Sequence, residues 1–139
     1  LNSANKKGLH LQKLKTIPKL PHNTEQINLT NEFILTNDNQ RFLIFDTKDG
    51  DRIIAFGSHW QLDCLENSPV WHVDGTFKTS PKLYYQMFNI HAWFRDEMYQ
   101  CATFFLKTKE EKTYYRSLQQ LKNCAYNFDP QVILITNIK

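Results

Sequence analysis

Between Trp71 and Leu106 the chain is so dense in alternating apolar and aromatic residues that a β-sheet is the structure it most readily builds. WHVDGTF, LYYQMFNIHAWF and MYQCATFFL read as three consecutive strands, the last two joined by a tight Arg95-Asp96-Glu97 connection. Both faces of the second strand carry large apolar side chains, which predicts a place in the middle of the sheet with cover on both sides. Thr108-Lys109-Glu110-Glu111 then has the pattern of a capping box, and Tyr114, Leu118, Leu121 and Ala125 recur at helical spacing. Asn127 and Pro130 close that helix, and QVILIT is an almost wholly apolar strand of the kind that runs parallel inside a sheet. Tight connections make the first three strands antiparallel, and the helical crossover lets the last one return parallel to a neighbour, right-handedly. If that neighbour is the first strand, Thr136 and Asn137 end beside Asp74.

Upstream, RFLIFDT and DRIIAFG flank Lys48-Asp49-Gly50, and an Asp-Gly pair between apolar runs is a hairpin signal. Ser58 is placed to cap a short helix, HWQLDCLENS, with Trp60, Leu62 and Leu65 near one face and Pro69 ending it. The organisation expected is a basic, loosely structured segment over 1–37, a lead-in hairpin and helix over 38–69 forming an accessory layer, and the main sheet over 70–139. Within the first segment, LHLQKLKT suggests a short helix and INLTNEFIL a strand. The fold class is α/β: three antiparallel strands, a crossover helix and a parallel fourth strand, with a small α+β lead-in.

With 139 residues, 41% of them hydrophobic, the chain has enough apolar surface for one folded core. Its 17 basic and 14 acidic side chains permit nucleic-acid binding without requiring it. Lys6, Lys7, Lys13, Lys15 and Lys19 precede the first acid, as a solvated end or an arm for phosphates. Cys64, Cys101 and Cys124 are odd in number and far apart, which argues against a disulfide framework or a CxxC zinc site and for buried, reduced thiols. No apolar run is long enough to span a membrane and no signal-like start is present, so an intracellular location, without a membrane partner, is expected.

Asp74 is the anomaly. A carboxylate inside a strand is costly to bury unless it is paired, hydrogen-bonded or bound to a cation. The competing reading, an Asp74-Gly75 turn, is weakened because Trp71, Val73 and Phe77 alternate around it as in a strand. WHVDGTFKTSPKLYYQMFNIHAW, with the later ATFFLKTKEEKTYYRSLQQLK and QVILITN, closely resembles the Mutator-like element (MULE) transposase domain, over roughly residues 40–139. RIIAFGSHWQLDCLENSPVW resembles the segment that leads into it.

The resemblance implies the N-terminal portion of a ribonuclease H-like, DDE-type core that cleaves and transfers DNA strands at transposon ends with Mg²⁺ or Mn²⁺ held by three acids. Asp74 matches the first acid; Asn137 stands where the second is expected, and the third, on a later helix, has no counterpart. The implied chain is therefore a transposase fragment, inactive alone, nuclear and capable of homo-oligomer formation. The alternatives are a domesticated, non-catalytic DNA- or protein-binding module, or a non-functional transposon remnant. Lys78 and Lys82, around Pro81, are candidate phosphate contacts, and His91 and His72 are candidate substrate contacts or hydrogen-bonded structure. Tyr84, Tyr85, Phe88, Trp93, Phe94, Phe104 and Phe105 are expected in the core rather than as a base-stacking platform.

Overall fold

The computed structural model describes residues 19–137, so the short helix expected over LHLQKLKT lies outside the described residues. Six strands, β1 (Leu43–Asp46), β2 (Ile54–Phe56), β3 (Val70–Thr76), β4 (Gln86–Phe94), β5 (Glu97–Leu106) and β6 (Val132–Thr136), form one mixed sheet in the order β1-β2-β5-β4-β3-β6. Three helices accompany them: α1 (Asn31–Ile34), α2 (His59–Asn67) and α3 (Glu111–Lys122). All neighbouring strands run antiparallel except β3 and β6, which are parallel.

The strong strand signals hold, and β4 lies inside the sheet between β3 and β5. Its turn into β5 places both Arg95 and Asp96 at positive φ, 49° and 64°, as a two-residue hairpin matched to the strand twist requires. Strand alternation then sorts the side chains. Trp71, Val73, Phe88, Ile90, Ala92, Ala102 and Phe104 point to one face, where Leu62, Cys64 and Leu65 of α2 and Leu121 of α3 close a single core over them. The opposite face carries Asp74, paired in register with Asn89 on β4, which pairs in turn with Thr103 on β5.

Several local expectations are corrected. INLTNEFIL is not a strand: a 3-10 turn at Thr24–Gln26 precedes it, the single turn of α1 takes its place, and only Leu35 makes a bridge, to Arg41. Thr36 hydrogen-bonds Asp38 and Gln40 and folds the chain back before a ladder can extend. The β1–β2 hairpin forms, but not around a tight Asp-Gly turn; Lys48 takes the positive φ of 53° and Gly50 does not. Nor is the hairpin an accessory layer. β2 pairs with β5 and extends the main sheet by two strands.

Ser58 caps α2 through a complete capping box with Gln61, whereas Trp60 is turned outward against Phe94 and Tyr99. The box expected at Thr108 is absent: α3 starts after Glu110, and the Thr108 hydroxyl is hydrogen-bonded to Thr113 instead. Ala125 lies beyond the end of α3. β6 runs parallel as expected but at the sheet edge rather than inside it, with all five residues exposed. Tyr85 and Trp93 of the aromatic set are also exposed, because strand alternation must send neighbours of buried residues outward. Among the described residues, no helix is long and apolar enough to cross a membrane.

Candidate functional site

The parallel return of β6 onto β3 sets Asp74 level with Thr136. The next residue, Asn137, leaves the strand with φ at 53°, a left-handed conformation that asparagine tolerates better than most residues. Its side chain thereby reaches the carboxylate face. Asn137 Nδ2 donates to Asp74 Oδ1 at 3.1 Å, and the Thr136 hydroxyl donates to the Val73 carbonyl at 3.4 Å.

Beside this pair is a pocket of about 540 Å³ lined by Asp74, Gly75, Thr76, Phe77, Lys78, Tyr85 and Asn137. It opens beyond the carboxyl ends of the two parallel strands, where ligand sites in open α/β sheets form. Lys78 is exposed at its rim, and the half-exposed Tyr85 ring meets Phe77 edge to face at 5.5 Å. The floor is shaped by an absence of side chain: a Cβ on Gly75 would stand 3.0 Å from Gln86 Oε1 and 3.1 Å from the Asn137 carbonyl oxygen. Gln86 is fully buried and donates its amide to the Thr108 carbonyl and the Tyr114 hydroxyl, and its Oε1 has no hydrogen-bond partner among the described residues.

The other candidate residues sit elsewhere. His72 and His91 are directly opposite each other on β3 and β4, on the Asp74 face but two residues away along β3. His72 Nε2 accepts from Trp93 Nε1 at 3.0 Å. His91 is half-buried and does not line the pocket. Lys82 is exposed in the loop before β4 and is not among the pocket residues either. Asp74, Asn137 and Lys78 are thus brought together; His91, His72 and Lys82 are not part of the same cavity.

The donors at Asp74 do not fit a two-metal centre. An ionised carboxylate only accepts, so Asn137 must present its amide N–H to it, which turns the amide oxygen away. Among the described residues, Asp74 is the one carboxylate lining the pocket, and no three histidine, cysteine, aspartate or glutamate side chains converge to hold a metal ion. What the arrangement offers is a hydrogen-bonded anion, a lysine and an aromatic ring around an open cavity.

Sequence reading missed Asn89, Gly75, Gln86 and Tyr85. Period-two counting from Asp74 identifies its face but not the cross-strand neighbour, and Tyr84-Tyr85 does not declare which ring is buried. Asn89, 5% exposed, accepts from Gln100 Nε2 at 3.0 Å, so the polar row continues from Asp74 to β5. In comparisons with known proteins, no family model, curated protein or solved structure matches this chain.

Proposed function

We propose that the chain is part of a MULE-type DNA transposase core, a ribonuclease H-like sheet, and that this chain by itself does not carry out strand cleavage or transfer. The observation that supports the reading is the Asp74–Asn137 contact. A crossover helix and a parallel strand deliver the residue that follows β6 to a carboxylate on β3, the placement that the sequence resemblance calls for. An amide in place of the second acid supplies no charge to a divalent cation, and Mg²⁺ depends on carboxylate oxygens. Transposon-end DNA as partner and nuclear residence follow from the same proposal.

A second reading, a non-catalytic DNA-binding module that kept the sheet, is favoured by Lys78 and Tyr85 on the pocket rim. They pair a cation for phosphate with a ring for a base.

Calorimetry with Mg²⁺ and Mn²⁺ tests the first reading. Asn137→Asp is expected to bind either ion more tightly than the parent chain, and adding Asp74→Ala is expected to abolish the gain. If Asn137→Asp binds no more than the parent, the two positions are not the remnant of a metal site. Salt-sensitive DNA binding, weakened by Lys78→Ala and unaccompanied by cleavage, supports the module reading.

A further inference from the structure

A second cavity, of about 380 Å³, lies where β1 meets the start of α2 and the end of α3, and it shares no lining residue with the Asp74 pocket. Its size falls in the range of roughly 300–1,000 Å³ that small-molecule sites occupy. Three local features form it. Leu43, Ile44 and Phe45 line it in succession, where a regular strand would offer alternate residues; the register with β2 slips between Leu43 and Phe45, and such a bulge re-aims side chains. Gly57 lets α2 begin close against the sheet, because a Cβ there would stand 2.6 Å from the Cys101 carbonyl oxygen and 3.0 Å from Ile44 Cδ1. The chain that leaves α3, from Asn123 to Tyr126, closes the remaining side.

The lining is cationic and apolar. Arg41 and His59 belong to it, and among the described residues no aspartate or glutamate does. Arg41 Nε donates to the Leu43 carbonyl at 2.7 Å, which holds the guanidinium at the cavity and leaves its two terminal nitrogens without a partner among the described residues. His59 Nδ1 and the Tyr126 hydroxyl, 2.9 Å apart, fix each other at the same cavity. Glu66, on the same helix as His59, is turned to the Asn127 N–H instead. Burial pushes the Cys124 thiol above its ordinary pKa and the Arg41 charge opposes that rise, so cation and thiol face the same space.

We propose that this cavity binds a small monocarboxylate with an aromatic body. A guanidinium with both terminal nitrogens open matches a carboxylate through two parallel N–H···O bonds. Leu43, Phe45 and Leu62 supply apolar walls for the body of such a ligand, and the Tyr126 ring adds an aromatic surface. A bare inorganic anion would meet the same guanidinium but leave these walls wet. A cationic ligand would face Arg41 with no acid in the lining to offset it. The bound ligand covers the Cys124 thiol, which makes that cysteine a reporter of occupancy.

Titration of the full chain with phenylacetate, with its neutral analogue phenylacetamide and with inorganic phosphate tests the site, read by calorimetry and by the rate at which iodoacetamide alkylates each cysteine. Phenylacetate is expected to bind saturably with millimolar affinity, the scale for a ligand of about ten non-hydrogen atoms. Phenylacetamide, and phenylacetate on Arg41→Met, are expected to bind at least about tenfold more weakly, as the loss of hydrogen bonds between charged groups requires. Saturating phenylacetate is expected to slow alkylation of Cys124 and to leave the rates of the buried Cys64 and Cys101 unchanged. No saturable binding, equal binding of acid and amide, displacement of the probe by an equal concentration of phosphate, or an unprotected Cys124 would overturn the proposal. So would an Arg41→Met variant that binds like the parent. The acid–amide comparison and the alkylation rates use the parent chain alone, so they decide the matter even if Arg41→Met does not fold.

Discussion

Asn137 donates its side-chain amide to the carboxylate of Asp74 at 3.1 Å, across 63 residues of sequence. The contact exists because β6 lies parallel to β3 with Thr136 level with Asp74, and because Asn137 turns into left-handed backbone. It satisfies an anion that would otherwise sit half-buried on a sheet face.

Replacing the amide by a second carboxylate makes this neighbourhood repulsive. Without divalent cations, Asn137→Asp is expected to lower stability at neutral pH by about 1–3 kcal/mol, the scale for like charges in contact near a surface. The repulsion raises the affinity of the folded pair for a proton, so the deficit shrinks as pH falls through the carboxylate range and grows as pH rises. Urea melts of parent and variant at pH 4 and pH 7 check the sign; an equal deficit at both would show that charge is not its cause.

Gly75→Ala is expected to cost about 1–3 kcal/mol, as an overpacked site does. The added methyl would press on Gln86 Oε1 and the Asn137 carbonyl oxygen. Gln86 has little room to yield because its amide is held by Thr108 and Tyr114. Chemical denaturation of the variant measures the cost, and a stability within a few tenths of a kcal/mol of the parent would mean that the turn at Asn137 moves freely.

Arg52 and Asp46 form an ion pair at 2.6 Å with side chains only 6% and 4% exposed. Donation to the Asp46 carboxylate holds the guanidinium above its ordinary pKa, so removing Asp46 leaves a buried cation. Asp46→Ala is expected to cost about 3–5 kcal/mol, the range for stranding one member of a buried pair. Since Arg52 also donates to the Thr24 and Ile27 carbonyls, Arg52→Met is expected to release the lead-in. Hydrogen exchange over residues 24–27 should then accelerate while β4 remains protected.

Tyr84 has a buried hydroxyl with no hydrogen-bond partner among the described residues, and burial pushes its pKa up to about 12, with Arg52 opposing and Asp46 adding. The folded value lies above the ordinary value of 10.0, so this group's contribution is present below pH 10 and is lost as pH climbs toward 12. Tyr84→Phe removes both the unpaired hydroxyl and the titration. It is expected to match or exceed parent stability at pH 7, by up to about 1 kcal/mol, and to lose less between pH 9 and pH 11. A loss of more than 1 kcal/mol at pH 7 would reveal a partner for the hydroxyl.

The sequence by itself determined the elements whose signals are local and repeated. Alternation from Trp71 to Leu106 specified β3, β4 and β5, the stripe of Tyr114, Leu118 and Leu121 specified α3, and Ser58 specified the start of α2. Topological rules then required a parallel return and left β3 as one possible neighbour, and the β3–β6 pairing of the fold brought Asn137 to Asp74. Tertiary structure decided what depends on partners. INLTNEFIL has strand-like residues but no ladder to join, and the hairpin thought to be a separate layer found one in β5. Thr108 lost its capping role to a hydrogen bond with Thr113, and the burial of Gln86 beside a glycine depends on three segments that meet only when folded. Periodicity records which way a side chain points along its own element; which atoms wait there is settled by the packing of elements far apart in the chain.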